Sequence, residues 1–233
     1  MEGNKVLKTI LFDAYGTLIS TGTGSIDAAQ KILLKNGCRD VSAKVFYARW
    51  KDYHRQHMHE AADFVNEEMI FHMDLRRLYR DYGLAGDADE DVQIMLNTLG
   101  QRTAFPETKA VLDFLRERFT VCIASTTDTR PLLSDLKRNN LQFDHIFTSE
   151  SLRAYKPDPI FYTRILDALN ADVSQALFVG DSLTDDVFGP QQLGIRTCWL
   201  NRKGAARGNI VPDDEIDNLS GLIDVVKRMG CVL

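Results

Sequence analysis

The sequence predicts an α/β protein: a doubly wound parallel sheet with an all-helical segment inserted after its first strand. Outside residues 20–100, short apolar runs alternate with longer stretches of helical spacing, which is the pattern of consecutive βαβ units. Residues 26–99 instead carry several helical patterns in succession. With 233 residues, 44% of them hydrophobic and 26% charged, the chain is long enough to bury a core of this kind.

Five short apolar runs are predicted as strands of the sheet. Each run is followed by polar or Gly/Asp-rich residues, as is typical of buried parallel strands. The predicted strands cover residues 6–12, 121–124, 145–148, 176–179 and 196–200. Because such sheets bind ligands at the carboxyl ends of their strands, the polar residues directly after each run are candidates for a functional site.

Amphipathic spacing predicts the helices of both parts of the chain. Those between the strands cover residues 107–118, 130–139, 159–169 and 185–193. Those of the insert cover residues 26–36, 45–65, 67–82 and 91–99. We therefore divide the chain into a core, residues 1–19 and 100–233, and a helical cap, residues 20–99.

Charge and hydropathy exclude several classes of function. The chain has 28 Lys and Arg against 33 Asp and Glu, a net charge of −5, without a block of basic residues. This balance argues against binding to nucleic acid or to an anionic membrane surface. The N-terminus does not resemble a signal peptide, and no apolar run approaches the ~20 residues of a membrane span. We expect a cytoplasmic protein that acts on a small molecule.

The cysteines suggest neither a disulfide framework nor a zinc site. They are scattered, without a C-x-x-C pair or a Cys/His ligand spacing. The four positions are Cys38, Cys122, Cys198 and Cys231. Reduced thiols are expected.

Polar side chains that are suited to catalysis or ligand binding follow the first two predicted strands. Asp13 comes directly after the first strand, in the motif Asp-Ala-Tyr-Gly-Thr-Leu. A carboxylate that leaves a buried strand before a glycine turn is placed to act as a nucleophile or as a metal ligand. Ser125 and Thr126 follow the second strand, where their hydroxyls would either donate to an anion or cap the next helix.

A lysine and an acidic cluster complete this set of residues. Lys156 precedes a helix that begins with Pro, and Asp181, Asp185 and Asp186 follow the fourth strand in the stretch GDSLTDD. Asp13, Asp181 and Asp186 would meet at one sheet edge, where close carboxylates repel or take up protons. Mg²⁺ would resolve this conflict, because it prefers carboxylates, water and phosphate oxygens. The pattern leaves open which of Asp185 and Asp186 faces the metal.

The order and placement of these residues resemble the haloacid dehalogenase superfamily of hydrolases. Its four motifs are a nucleophilic Asp, a Ser or Thr, a Lys and a terminal acidic cluster on successive strand ends. The matching residues are Asp13, Ser125, Lys156 and Asp181 with Asp186. The resemblance covers nearly the whole chain, and the family's helical cap is also inserted after the first motif. It implies a Rossmann-like core with an inserted cap.

The resemblance also implies roles for these residues. Asp13 would attack phosphorus to form an aspartyl-phosphate, which water then hydrolyses. Ser125, Thr126 and Lys156 would bind the substrate and offset negative charge on the transferring group. The implied ligands of Mg²⁺ are Asp13, the main-chain carbonyl of Tyr15, Asp181 and Asp186.

Tyr15 departs from the phosphatases of this superfamily. They carry a second Asp at this position, which protonates the leaving alcohol and then activates water. A phenol, with an ordinary pKa of about 10, replaces a carboxylic acid poorly near neutrality. The 2-haloacid dehalogenases of the superfamily carry Tyr here, and a departing halide needs no proton. Tyr15 is therefore counted among the catalytic candidates.

The acidic cluster, in contrast, resembles that of the phosphatases rather than that of the dehalogenases. The dehalogenases use no metal and have a Ser/Asn/Trp-rich sequence where this chain has GDSLTDD. They also need a cap Arg to hold the substrate carboxylate, whereas Lys51 aligns at that position and Arg49 lies two residues before it. Thr126 stands where both groups commonly have Asn.

The sequence thus favours a metal-dependent phosphatase that acts on a small phosphorylated metabolite. Two alternatives stay open: a metal-independent 2-haloacid dehalogenase in which Asp13 displaces halide, and a non-catalytic ligand-binding protein. The cap sequence identifies no substrate, and the chain does not reveal an oligomeric state.

Other polar residues have simpler explanations. His54, His57 and His59 are expected on a solvated helix face rather than in a metal site. Gly22 and Gly24 are expected to let the cap hinge. Asp128 is a candidate helix cap, and Asp158 is a candidate for orienting Lys156. The cap aromatics, Phe64 among them, are expected mostly in the core of the cap.

Overall fold

The computed structural model describes residues 6–60 and 63–230, and it confirms the doubly wound α/β fold. The strands are β1 (Thr9–Phe12), β2 (Thr120–Ser125), β3 (His145–Thr148), β4 (Ala176–Gly180), β5 (Arg196–Leu200) and β6 (Asp214–Ile216). The helices of the cap are α1 (Gly24–Lys35), α2 (Ala43–Glu60), α3 (Glu67–Tyr82) and α4 (Ala88–Leu96). The other helices are α5 (Thr108–Arg116), α6 (Thr129–Arg138), α7 (Ser149–Leu152), α8 (Pro159–Leu169), α9 (Gly189–Gln191) and α10 (Leu222–Arg228).

The six strands form one parallel sheet in the order β3-β2-β1-β4-β5-β6. β1 lies at its centre, with Phe12 beside Ile123 of β2 and Val179 of β4. The strand order reverses at β1, and in open α/β sheets the crevice beyond such a reversal is where ligands bind. Asp13, directly after β1, therefore lies at the position that this topology favours for chemistry.

Side chains along β1 alternate between two hydrophobic clusters. Ile10 and Phe12 belong to one cluster and Leu11 belongs to another, as expected for residues that face opposite sides of a strand. All three side chains are fully buried. Burial of each contributes roughly 1.5–3 kcal/mol to the free energy of unfolding. This packing fixes the strand end that carries Asp13.

The cap helices enclose a hydrophobic cluster of their own. Trp50 and Tyr53 of α2 pack with Phe71 of α3 and Val92 of α4. Phe64, which we expected in the cap core, instead stacks on the ring of Tyr155 in the other part of the chain.

Several predicted bounds agree with the structure, whereas other regions differ. The predicted helix over residues 185–193 is a π-helical turn, Leu183–Phe188, followed by the short α9. β6, α7 and α10 were not predicted. β6 contains only three residues, two of them acidic, so it has no apolar run to recognise.

The described residues contain no helix with both the length and the hydrophobicity that a membrane crossing requires. Cys38, Cys122 and Cys198 are free thiols. Cys231 and the N-terminal residues 1–5, used above in the predictions on disulfides and signal peptides, lie outside the described residues, as do residues 61–62 of the predicted helix 45–65.

Candidate active site

Two adjacent strand ends, those of β1 and β4, bring the predicted carboxylates together. Asp13 follows β1, and its N–H donates to the carbonyl oxygen of Val179 in β4 at 2.9 Å. Asp181 follows β4 directly. One carboxylate oxygen from each of Asp13, Asp181 and Asp186 lies within 4.8 Å of the other two. Of the two adjacent carboxylates left open by the sequence, Asp186 is thus the one in this cluster.

Two glycines allow the carboxylates to approach the backbone this closely. Gly16 has a φ of +97°, and a Cβ at this position would collide with the carboxylate of Asp181. A Cβ at Gly180 would collide with the carboxylate of Asp186. Larger residues at either position would push these acidic side chains out of the cluster.

The π-helical turn orients the acidic segment. Ser182 N–H donates to Asp186 Oδ2 at 2.9 Å, and Asp186 N–H donates to the carbonyl oxygen of Ser182 at 2.8 Å. The turn buries Asp186 almost completely and leaves Asp185 half-buried. The main-chain carbonyl of Asp185 accepts a hydrogen bond from Tyr162.

Lys156 is the counter-ion of two of these acids. Its Nζ donates to Asp13 Oδ1 at 2.8 Å and to Asp186 Oδ1 at 2.7 Å. Its side chain is only 2% exposed. Burial by itself would lower the pKa of Lys156, but the charges of Asp13 and Asp186 outweigh it and raise that pKa. Lys156 therefore stays protonated.

A single ammonium group does not neutralise three carboxylates. Burial, and next the charge of Asp13, raises the pKa of Asp181 to about 6. Burial also raises the pKa of Asp186, although Lys156 opposes that shift. The ionised cluster is thus short of positive charge, and its donors are all oxygens. This donor set fits Mg²⁺, a hard cation that takes oxygen ligands.

One hydroxyl group bonds to the cluster, and two others lie at the end of the neighbouring strand β2. Thr17, whose role the sequence analysis missed, donates from Oγ1 to Asp13 Oδ2 at 3.1 Å. Ser125 is the last residue of β2 and is 1% exposed. The hydroxyl of Thr126 is buried and has no hydrogen-bond partner among the described residues. A buried hydroxyl of this kind is available to a bound ligand.

Tyr15 is bonded away from the cluster. Its O–H donates to Asp135 Oδ2 at 2.9 Å, and the guanidinium of Arg102 lies 4.4 Å from the centre of its ring. Burial, together with the charge of Asp135, raises the pKa of the phenol well above its ordinary value. Tyr15, at the position of the phosphatases' second Asp, thus keeps its proton and directs it at Asp135 rather than at the cluster.

The cationic residues considered for the cap contact aromatic rings. Arg49 lies 4.5 Å from the centre of the Tyr53 ring, and Lys51 Nζ lies 5.4 Å from the centre of the Tyr47 ring. Both cations are exposed. Within residues 6–60 and 63–230, neither forms an ion pair with Asp13, Asp181 or Asp186.

The expectation of a solvated histidine face is wrong for two of the three residues. His54 Nδ1 lies 2.7 Å from Asp74 Oδ2, and His57 Nδ1 lies 2.6 Å from Asp74 Oδ1. Asp74 is fully buried. It belongs to α3, so spacing within α2 could not reveal it. His59 is exposed, as predicted.

Two aspartates next to the motifs cap helices. Asp128 makes no side-chain cap on α6, which it precedes; its carboxylate accepts the N–H groups of Glu67 and Glu68 at the start of α3. The expectation that Asp158 orients Lys156 is wrong, because its carboxylate caps α8 through the N–H of Ile160 at 2.9 Å.

Comparison with known proteins shows the family of the chain. The model of the haloacid dehalogenase-like hydrolase family matches residues 7–194. Pyrimidine 5'-nucleotidase PynA of Streptococcus pneumoniae is 28% identical over 207 residues, 83% of this chain and 84% of that protein. (S)-2-haloacid dehalogenase 4A of Burkholderia cepacia is 26% identical over 210 residues, 85% of this chain and 84% of that protein.

A solved structure supports the same fold. The L-2-haloacid dehalogenase of Xanthobacter autotrophicus superposes with a TM-score of 0.79 at 19% identity, over 96% of this chain and 100% of that chain. At this identity the likeness concerns the fold alone. The family match, however, spans the residues Asp13, Ser125, Lys156 and Asp181. The chain belongs to the haloacid dehalogenase-like hydrolase family.

Proposed function

We propose that this hydrolase is a Mg²⁺-dependent phosphatase that acts on a small phosphorylated metabolite. The observation that carries the proposal is the cluster of Asp13, Asp181 and Asp186, whose oxygens lie within 4.8 Å of one another. Three carboxylates with one buried ammonium group favour a bound divalent cation. Mg²⁺ held there by these residues and the main-chain carbonyl of Tyr15 would offset the negative charge of the carboxylates and of a phosphoryl group.

Asp13 is the nucleophile of the proposed reaction. Lys156 holds one of its carboxylate oxygens and Thr17 holds the other, so the orientation of the group is fixed before substrate binds. An oxygen of Asp13 forms a bond to phosphorus while the bond from phosphorus to the leaving oxygen breaks. Water then attacks phosphorus, releases phosphate and restores the carboxylate.

The remaining residues stabilise the group in transfer. Lys156, Ser125 and Thr126 supply donors to the phosphoryl oxygens as negative charge redistributes. Because Tyr15 is bonded to Asp135, the leaving oxygen takes its proton from solvent. This arrangement favours leaving groups that need little protonation, such as phenols and carboxylic acids.

A 2-haloacid dehalogenase is the second candidate function. Tyr15 favours it, since a halide leaves without a proton, and relatives of this chain include haloacid dehalogenases. The cap argues against it. Arg49 and Lys51, the cations considered for the substrate carboxylate, are exposed and lie on Tyr53 and Tyr47.

Parallel measurements of phosphate release and halide release test the proposal. The wild type, with and without Mg²⁺, is offered an aryl phosphate and 2-chloropropionate, with Asp13→Asn as the matched control. We expect Mg²⁺-dependent phosphate release that Asp13→Asn abolishes. Chloride release without metal would establish the second candidate instead. Ligand binding without turnover of either substrate would favour a non-catalytic role.

A further inference from the structure

A short segment of the cap is bonded to two loops of the core. The N–H groups of Glu67 and Glu68 donate to the two carboxylate oxygens of Asp128 at 2.9 and 2.8 Å. Tyr155 donates from its hydroxyl to the carbonyl oxygen of Val65 at 2.8 Å. The rings of Tyr155 and Phe64 stack with their centres 5.1 Å apart. We call this set of contacts the clasp: residues 64–68 with Thr127, Asp128 and Tyr155.

Glu67 adds a hydrogen bond between side chains of the cap and the core. Its Oε2 accepts a hydrogen bond from Thr127 Oγ1 at 2.8 Å. Its Oε1 lies 3.5 Å from His54 Nε2, and the other ring nitrogen of His54 is bonded to the buried Asp74. The carboxylate of Glu67 thus joins the charged interior of the cap to a loop of the core.

Both partners in the cap are charged near neutral pH. Burial would lower the pKa of His54, but Asp74 and Glu67 raise it to about 9. Burial would raise the pKa of Glu67, but His54 and Thr127 lower it. The other charged or titratable groups that face this pair are Arg102, Asp128, Tyr15, Tyr155 and, through Asp74, His57. The pair is therefore an ionic contact with little exposure to solvent.

The two loops held by the clasp carry the residues that are proposed to bind the phosphoryl group. Thr127 lies two residues after Ser125, and its N–H donates to the carbonyl oxygen of Ser125 at 3.0 Å. Tyr155 directly precedes Lys156. A displacement of Thr127 or Tyr155 would therefore move the donors of Ser125, Thr126 and Lys156.

We propose that Glu67 is a positioning residue, which binds Thr127 across the boundary between cap and core and holds the loop of Ser125 and Thr126 in place while the cap is closed. This role rests on the proposed phosphatase function. Closure of a lid completes a catalytic site, and a misplacement of about 1 Å in catalytic groups can cost about a hundredfold in rate. Glu67 acts through the loop and touches no reacting atom.

The test compares Glu67→Gln with Glu68→Gln, a neighbour whose exposed side chain takes no part in the clasp contacts. With an aryl phosphate and Mg²⁺, we expect kcat/KM to fall about tenfold or more for Glu67→Gln. Glu68→Gln should match the wild type. Amide hydrogen exchange should be faster in residues 63–68 and 125–129 of Glu67→Gln than in the same residues of Glu68→Gln.

A pH profile separates positioning from a merely structural role. The pKa of His54 is raised to about 9, so its attraction for Glu67 is present below that pH and lost as the pH rises through it. The kcat/KM of the wild type should therefore fall above this pH. In His54→Gln, kcat/KM should not fall in this alkaline range. Its kcat/KM at neutral pH should already be lower than that of the wild type.

A Gln at position 67 still offers its amide oxygen to Thr127 Oγ1, so Thr127→Val, which removes this hydrogen bond from the core side, is compared with the wild type whether or not Glu67→Gln folds. Equal kcat/KM and equal exchange of Glu67→Gln with Glu68→Gln, and of Thr127→Val with the wild type, would overturn the proposal. Absence of phosphate release by the wild type would refute the phosphatase function alone. The exchange comparison would still decide whether Glu67 holds the loop.

Discussion

The phenol hydroxyl of Tyr15 donates a hydrogen bond to Asp135, with 2.9 Å between the hydroxyl oxygen and Oδ2. The other oxygen of Asp135 accepts the backbone N–H of Arg102 at 2.7 Å. One buried carboxylate on α6 therefore ties the loop after β1 to the chain that returns from the cap. From this relationship we propose a structural role for Tyr15.

Tyr15→Phe should therefore affect stability more than catalysis. The substitution leaves one oxygen of the buried Asp135 without its donor, which costs roughly 1–3 kcal/mol of unfolding free energy. Urea denaturation measures this loss, and aryl-phosphate turnover should keep its wild-type value. If turnover instead falls by about 10²- to 10⁴-fold with stability unchanged, Tyr15 is the general acid.

Tyr15→Asp should change the leaving-group preference. A carboxylic acid at this position would protonate an alkyl leaving group, so turnover of alkyl phosphates should rise while turnover of aryl phosphates changes much less. Steady-state rates with both substrate series and Mg²⁺ measure the effect. In a dehalogenase the new charge beside Asp13 would only harm activity. A flat or reduced alkyl-phosphate rate would therefore count against the phosphatase account.

Mg²⁺ should stabilise the folded protein. A ligand at a hundredfold excess over its dissociation constant adds about 2.7 kcal/mol to the free energy of unfolding. We expect the Tm of the wild type to rise with millimolar Mg²⁺ and that of Asp181→Asn to rise much less. Differential scanning calorimetry provides the measurement. A wild-type Tm that does not change with Mg²⁺ would contradict the proposed metal site.

Lys156→Met should destabilise the metal-free protein strongly. Lys156 pairs with Asp13 and with the nearly fully buried Asp186, and removal of one partner from a buried ion pair costs about 3–5 kcal/mol. Lys31→Met is the control, because Lys31 is exposed and forms no ion pair within the described part of the chain. Equal urea midpoints for the two variants would show that Lys156 is not the counter-ion of the cluster.

The sequence was sufficient to predict the sheet edge and most of the cluster. Alternating runs placed Asp13 and Asp181 directly after strands, and the parallel sheet then brings strand ends together. The choice between Asp185 and Asp186 depended on the π-helical turn. The geometry of this turn decides which of the two adjacent side chains is buried and which is half-buried.

Contacts between distant helices could not be predicted. His54 and Asp74 lie on different cap helices, and Asp128 caps α3, which is far from it in sequence. Spacing patterns describe neighbours within one helix or strand, whereas His54 meets Asp74 through the packing of cap helices on each other, and Asp128 meets α3 through the packing of the cap on the core. Glu67 was missed for the same reason, since its partners Thr127 and His54 come from two other segments.

Mass spectrometry of the acid-quenched protein tests the central claim most directly. The wild type with Mg²⁺ is mixed with an aryl phosphate or with 2-chloropropionate, quenched during turnover and digested, with Asp13→Asn treated in parallel. The account predicts a phosphoryl group on Asp13 of the wild type, formed only with the phosphate substrate and absent from Asp13→Asn. An ester of Asp13 formed from 2-chloropropionate, without any phosphoryl adduct, would contradict it.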